Sequence, residues 1–138
     1  MISDYLANKL LDHVLKNGSS YTAPAPVYVA LLKAIPIRQT PSPASEVTGG
    51  SYARQSLTVG AAADAKSFNS AAVTFPSPTA DWAPASAPIV AVALMDDSSS
   101  GNWLFAAPVC PFVVLNGDPA PTFKIGGILA AFASCFPG

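Results

Sequence analysis

The chain begins with a helical pattern of apolar residues. Within residues 3–17, leucines and one valine recur every three or four positions, which is the spacing of one face of an α-helix. Ser3 occupies the position of an N-cap, and Gly18 follows the last periodic residue as a stop signal. The apolar stripe includes Leu6 and Leu10, and it is expected to pack on the domain or on a neighbouring subunit.

After the helix, the pattern becomes typical of strands. Residues 27–33 and 88–95 are apolar on both faces, so they are predicted to be the central strands of a sheet. Shorter strands are predicted at residues 52–59, 67–75, 102–107, 109–115, 122–125 and 128–136. The expected fold is mainly β: an antiparallel, jelly-roll-like β-sandwich of about eight strands with one N-terminal α-helix.

Prolines and glycines separate these elements along the whole chain, so residues 1–138 are predicted to form a single β-sandwich domain. Residues 1–18 contain the helix. Residues 36–50 form an extended Pro-rich loop, in which Pro41 and Pro43 are candidate interface residues. The loop is expected to be exposed and to serve as a contact arm.

A second proline-rich segment, residues 76–88, surrounds Trp82. A tryptophan between prolines is expected to plug the end of a core. The alternative is a platform on which a sugar ring stacks, although the polar cluster that sugar hydroxyls require is not evident nearby.

The composition restricts the possible partners. Charged residues are only 11% of the chain, compared with roughly 25% in a typical soluble domain. With a net charge of −1 there is no basic patch for phosphate contacts, so no nucleic-acid partner is expected. Hydrophobic residues make up 51%, which indicates that a partner or other copies of the chain cover part of the surface. No apolar run is long enough to span a bilayer and no secretory signal is evident, so no membrane association is expected.

The sequence contains little that could perform catalysis. Its single histidine, His13, lies in the helix, and no nucleotide-binding or nucleophile motif occurs. Asp96 and Asp97 lie in a Ser-rich hairpin turn, where a solvated turn is expected and a calcium site is the alternative. Cys110 and Cys135 are expected to be two free buried thiols, with a disulfide between them as the alternative. We predict a protein that is not an enzyme and binds no cofactor and no metal.

Residues 46–59 combine a loop, a Gly-Gly hinge and a strand with alternating side chains. They contain Arg54, one of only two arginines, close to Tyr52 and Glu46. Tyr52 is expected to anchor the loop. Arg54 pairs with a carboxylate of a neighbouring subunit or braces the loop through Glu46, and the sequence leaves both alternatives open.

The order of several short motifs resembles a family of small virion proteins of tailed phages. The most specific part is Gly-Gly-Ser-Tyr-Ala-Arg-Gln at residues 49–55. Other matching segments are residues 3–14, 21–24, 27–31, 69–76, 79–82, 101–104 and 116–118. The chain departs from the pattern at residues 87–92, where many relatives carry a Thr-His-hydrophobic-Gly segment, and at its unusually apolar C-terminal end.

The resemblance implies a virion structural protein made in the host bacterial cytoplasm. The leading expectation is a capsid decoration or cement protein on the outer capsid surface, which self-associates as a homotrimer and binds the phage major capsid protein. The alternative is a tail-fibre or tail-tip component that contributes to host receptor binding, with Trp82 or Trp103 as contact residues. The candidate interface residues are Leu6, Leu10, Pro41, Pro43, Glu46, Tyr52, Arg54 and Trp82.

Overall fold

The computed structural model describes residues 1–43 and 45–132, and it contains one helix followed by eight strands. The elements are α1 (Asp4–Leu15), β1 (Val27–Leu32), β2 (Gln55–Leu57), β3 (Lys66–Phe68), β4 (Val73–Thr74), β5 (Ile89–Met95), β6 (Trp103–Phe112), β7 (Thr122–Phe123) and β8 (Leu129–Ala131). All strand pairs are antiparallel. The prediction of a mainly β, antiparallel fold with about eight strands and one N-terminal helix is confirmed.

Helix α1 is fixed to the sheet by its first turn. The Ser3 side chain is fully buried, and its hydroxyl oxygen accepts a hydrogen bond from the Leu6 amide at 3.1 Å, as predicted for an N-cap. Leu6 is the buried residue of the helix and Leu10 is half-buried. The helix ends at Leu15 rather than at residue 17, because the backbone of Lys16 is already extended. Only the N-terminal half of the apolar stripe packs on the domain.

The main sheet has the strand order β2-β1-β5-β6, so β1 and β5 are its inner strands, as their two apolar faces predicted. Alternate side chains of β1 enter two separate clusters of buried residues. Val29 and Leu31 belong to the larger cluster, which also contains Trp82 and Phe75. The smaller cluster on the opposite face consists of Ala30, Leu32, Ala91, Ala93, Met95, Trp103 and Ala106.

Two short antiparallel pairs, β4–β7 and β3–β8, form the rest of the β structure. Val73 of β4 lies in the larger cluster, and Phe123 of β7 packs against it, so the β4–β7 pair covers one face of the main sheet. An isolated antiparallel bridge between Val59 and Asn69 joins the residues that follow β2 to the residue that follows β3. The β3–β8 pair therefore extends the structure beyond the edge at β2.

The prediction of two strands at residues 102–107 and 109–115 is wrong, because the structure has one strand, β6, in this region. It is a single strand of ten residues that contains Pro108. Because Ala106 directs its backbone N–H to Met1 rather than to β5, strand alternation directs the nitrogen of Pro108 away from β5 as well. The missing N–H of proline therefore costs no ladder hydrogen bond at this edge.

The other predicted strands are shorter in the structure. Residues 52–59 supply only β2, and residues 67–75 are split into β3 and β4 by a bend at Ser70 and Ala71, directly after Asn69. Of residues 128–136, the strand β8 covers Leu129–Ala131, and residues 133–138 lie outside the described part of the chain. No helix of the described residues is long and apolar enough to cross a bilayer.

Asn69 is a fully buried polar residue that holds this bend. Its Nδ2 donates to the carbonyl oxygens of Ala71 and Lys124, each at 2.9 Å, and its Oδ1 accepts from the Ile128 amide at 2.9 Å. The side chain therefore ties the turn between β3 and β4 to the loop between β7 and β8. A buried amide with all these partners is expected to stabilise the bend strongly.

We predict that Asn69→Ala lowers the free energy of unfolding by about 2 kcal/mol, because partly buried backbone groups of Lys124 and Ile128 lose their partner. Urea denaturation measures the change. The matched control is Ser70→Ala, since Ser70 is exposed and its hydroxyl contacts the Thr58 carbonyl only at 3.4 Å. The control should change the stability by less than about 0.5 kcal/mol. Equal losses in the two variants would contradict the role of Asn69.

Candidate functional site

Glu46 and Arg54 form a bidentate ion pair inside the chain. The Arg54 Nε donates to Glu46 Oε1 at 2.8 Å, and Nη2 donates to Oε2 at 2.7 Å. The side chains are only 6% exposed for Arg54 and 16% exposed for Glu46. This planar geometry is the strongest form of an arginine–carboxylate contact, and the Glu46 carboxylate raises the pKa of Arg54. Of the two alternatives for Arg54, the structure contains the one within the chain.

Tyr52 joins this pair to the main sheet. Its hydroxyl donates to Glu46 Oε1 at 3.0 Å and accepts from the Leu31 amide at 3.0 Å. The ring stacks on Phe75 at a centroid distance of 5.9 Å and meets the edge of Trp82 at 5.3 Å. Burial, together with the charge of Glu46, raises the pKa of the Tyr52 hydroxyl well above its ordinary value of 10.0. Tyr52 anchors the loop, as predicted.

Arg54 also holds the turn between β5 and β6. Its Nη1 donates to the carbonyl oxygens of Asp97 at 2.7 Å and Ser100 at 2.6 Å. The same turn is closed by Asp96, whose Oδ1 accepts from the Asn102 amide at 2.6 Å. One guanidinium therefore connects residues that are more than forty positions apart in the chain.

The Pro-rich loop meets the same turn from the other side. The Trp103 indole donates to the Thr40 carbonyl at 2.7 Å, and the Trp103 amide donates to the Pro41 carbonyl at 3.0 Å. The Ser42 hydroxyl contacts the Gly101 carbonyl at 3.4 Å. We call the assembly of residues 38–43, 46–54 and 96–101 the loop tip.

Gly50 closes the loop tip against the core. It has a positive φ of 58°, and a Cβ there would lie 2.9 Å from both the Ala80 Cβ and the Trp82 Nε1. The Trp82 indole donates to the Gly50 carbonyl at 2.7 Å. Only glycine provides both the backbone conformation and this close approach, which explains the second glycine of the Gly-Gly hinge.

The candidate interface residues fall into two groups. Glu46, Tyr52 and Arg54 are brought together in one network, and Pro41 and Pro43 lie beside it in the loop tip. Leu6 and Leu10 lie separately, in α1. Trp82 is only 1% exposed, so it fills the core as predicted, and Trp103 is fully buried. Neither indole ring is available to a receptor.

Two partners of Arg54 were missed by the sequence analysis. They are the backbone carbonyls of Asp97 and Ser100. A carbonyl is common to every residue, so no residue type signals it. The polar residues 96–101 indicate a turn in the sequence, and their pattern predicts that this turn is solvated. It is exposed at its Ser-rich apex, but its backbone is bonded to Arg54.

The other candidate chemistry is dispersed over the described residues. His13 is exposed and accepts a hydrogen bond from the Tyr21 amide at 3.1 Å. The backbone amide of Ser99 lowers the pKa of Asp97. Residues 1–43 and 45–132 contain no group of three or more side chains that could hold a metal ion. Cys110 is exposed on β6 rather than buried, and Cys135 lies outside the described residues.

These observations define the class of protein as a small β-rich module in which the ion pair of Glu46 and Arg54 fixes two loops. Residues 1–130 match the family model described as "Podophage GP4 fiber I protein gp80". The chain therefore belongs to this family and is a structural protein of a phage virion. Its location is the virion. A search of curated proteins gives no match at a significant level.

We predict that Arg54→Ala lowers the free energy of unfolding by about 2 to 4 kcal/mol, because it leaves Glu46 without its counter-charge. Arg54→Lys is the matched control, since it keeps the charge but loses the bidentate geometry, and its loss should be intermediate. Chemical denaturation measures both. If both variants are as stable as the wild type, the ion pair does not support the loop tip.

We predict that the stability of the protein falls as the pH rises above about 10. The pKa of Tyr52 is raised in the folded state, so the unfolded state loses its proton first and gains stability with rising pH. The loss is up to about 1.4 kcal/mol per pH unit for this one group. Denaturation at several alkaline pH values should show a shallower decline for Tyr52→Phe than for the wild type. Parallel curves would contradict the assignment.

Proposed function

We propose that the chain is a tail-fibre component of a podophage virion. The observation that carries this proposal is the match of residues 1–130 to a family described as a fibre protein. It favours the tail-fibre alternative over the capsid decoration protein that was the leading expectation from the sequence. Decoration of the outer capsid surface, with the major capsid protein as partner, is the competing proposal.

The loop tip is the surface that we assign to host contact. Its exposed residues include Thr40, Ser42 and Ser98–Ser100, which offer hydroxyl groups to a polar partner. Its backbone is fixed by Arg54 and by the buried Trp103, so binding would require little ordering of the loops. Contact through these loops replaces the earlier hypothesis of contact through tryptophan rings.

A structural role without catalysis also belongs to this proposal. The largely buried charged side chains of Glu46 and Arg54 are used in mutual contacts and in holding backbone. This supports a binding and scaffolding module rather than an enzyme. Self-association, predicted from the low charge, is retained as part of the proposal.

The copy number of the protein in purified virions separates the two virion roles. A fibre component is expected in far fewer copies than the major capsid protein, because the tail occupies a single position on the particle. Quantitative gel densitometry against the capsid band gives the ratio. Gold-labelled antibodies against this protein should mark the tail in electron micrographs.

A ratio comparable with that of the capsid protein, together with gold over the whole shell, would reject the tail-fibre proposal and support decoration. A suitable control is an antibody against the major capsid protein on the same particles. It should label the shell evenly and shows that the shell surface is accessible to antibodies.

A further inference from the structure

Strand β8 pairs on one side with β3, and its other edge has no partner strand among residues 1–43 and 45–132. Hydrogen bonds from the Asn69 amide to the Ile128 carbonyl at 3.1 Å and from the Phe132 amide to the Ala65 carbonyl at 2.9 Å fix the ladder between β3 and β8. Antiparallel strands bond through alternate residues. Leu129 and Ala131 therefore direct their N–H and C=O groups away from β3, and these groups have no partner among residues 1–43 and 45–132.

The edge of β6, in contrast, is protected. Its residues Leu104 and Ala106 bond to Ser3 and Met1, which lie along the strand. Pro108 and Pro111 follow, and proline cannot donate a ladder hydrogen bond. Covering an edge and placing prolines on it are two common ways in which proteins prevent pairing with another sheet.

Strand β8 carries none of these protective features in its described residues. The segment Leu-Ala-Ala-Phe at residues 129–132 contains no charge and no proline. Leu129 is 59% exposed, and its cross-strand neighbour Phe68 is 50% exposed. A groove of about 440 Å³ runs beside the strand, between β8 and β6, with apolar walls that include Leu94, Phe105 and Ile128. An uncovered apolar edge of this kind is a site for strand addition.

We propose that β8 pairs antiparallel with β8 of a second copy of this chain. In this arrangement Leu129 faces Ala131 of the second copy, and Ala131 faces its Leu129. Both residues direct their backbone groups to the open edge, so both pairs exchange N–H and C=O bonds in one register around a two-fold axis at Ala130. The inference goes beyond the proposed function and does not depend on the position of the protein in the virion.

The self-complementary register is the reason for choosing a second copy as the occupant. The described strand has no charged side chain that would repel its own image. Pairing would also bring Phe68 and Leu129 of each copy together on the outer face, and it would cover apolar surface that is now exposed. The association joins the two β3–β8 pairs into one continuous sheet.

Two double variants of the full-length protein test the register. In Leu129→Glu/Ala131→Glu, like charges face each other in both pairs, and the dissociation constant of the dimer should rise about tenfold or more. In Leu129→Lys/Ala131→Glu, each lysine faces a glutamate of the second copy, so the dimer should be retained. Both variants place a glutamate at position 131 opposite Lys66 of the same chain. Position 131 therefore has the same effect on the pairing of β3 with β8 in both variants.

Sedimentation velocity over a range of concentrations measures the association, and circular dichroism checks that both variants fold. A further variant, Ala131→Pro, removes one outward N–H without removing a bond to β3, and it should also weaken the dimer. A monomeric wild type would overturn the proposal and leave the edge to a different protein. Equal association of the Glu/Glu and Lys/Glu variants would overturn it as well.

Discussion

The ion pair between Glu46 and Arg54 is the interaction on which the loop tip depends. A charged residue that loses water must find its partners inside the protein. Arg54 meets this requirement with the Glu46 carboxylate and with the carbonyls of Asp97 and Ser100. Because the guanidinium spreads its donors over a plane, one side chain fixes two separate loops at once. In a chain with few charges, this pair has a structural use, which is why the loops can present a defined surface.

The second constraint on the structure is how the edges of its sheets are covered or left uncovered. The main sheet is covered at β6 by residues 1–3 and blunted by Pro108 and Pro111. At the other side, the chain leaves β2 and continues to β3 and β8. An apolar groove lies between β8 and β6. The backbone groups of β8 that have no partner among the described residues determine where another chain could be added.

Much of the fold could be predicted from local signals. The N-cap at Ser3, the two-sided apolar pattern of β1 and β5, and the burial of Trp82 all follow from residue type and spacing. The short strands were less predictable. Residues 67–75 were interpreted as one strand because the buried role of Asn69 depends on Lys124 and Ile128, which are distant in the sequence. The pattern also predicts two strands, at residues 102–107 and 109–115, because the tolerance of Pro108 within β6 depends on its position at a sheet edge.

The sequence by itself determined the fold class, the inner strands and the unusual position of Arg54 beside Tyr52 and Glu46. These features depend on side-chain pattern, which is local and can be read along the chain. Only the tertiary structure decided between the two alternatives for Arg54, because its partners include backbone carbonyls that no residue type marks. It also decided that the open edge is at β8, since an edge is defined by which strands are neighbours in space. Residues 46–54 are therefore an internal brace. The residue types of this brace can be recognised in the sequence, but its backbone partners at Asp97 and Ser100 cannot.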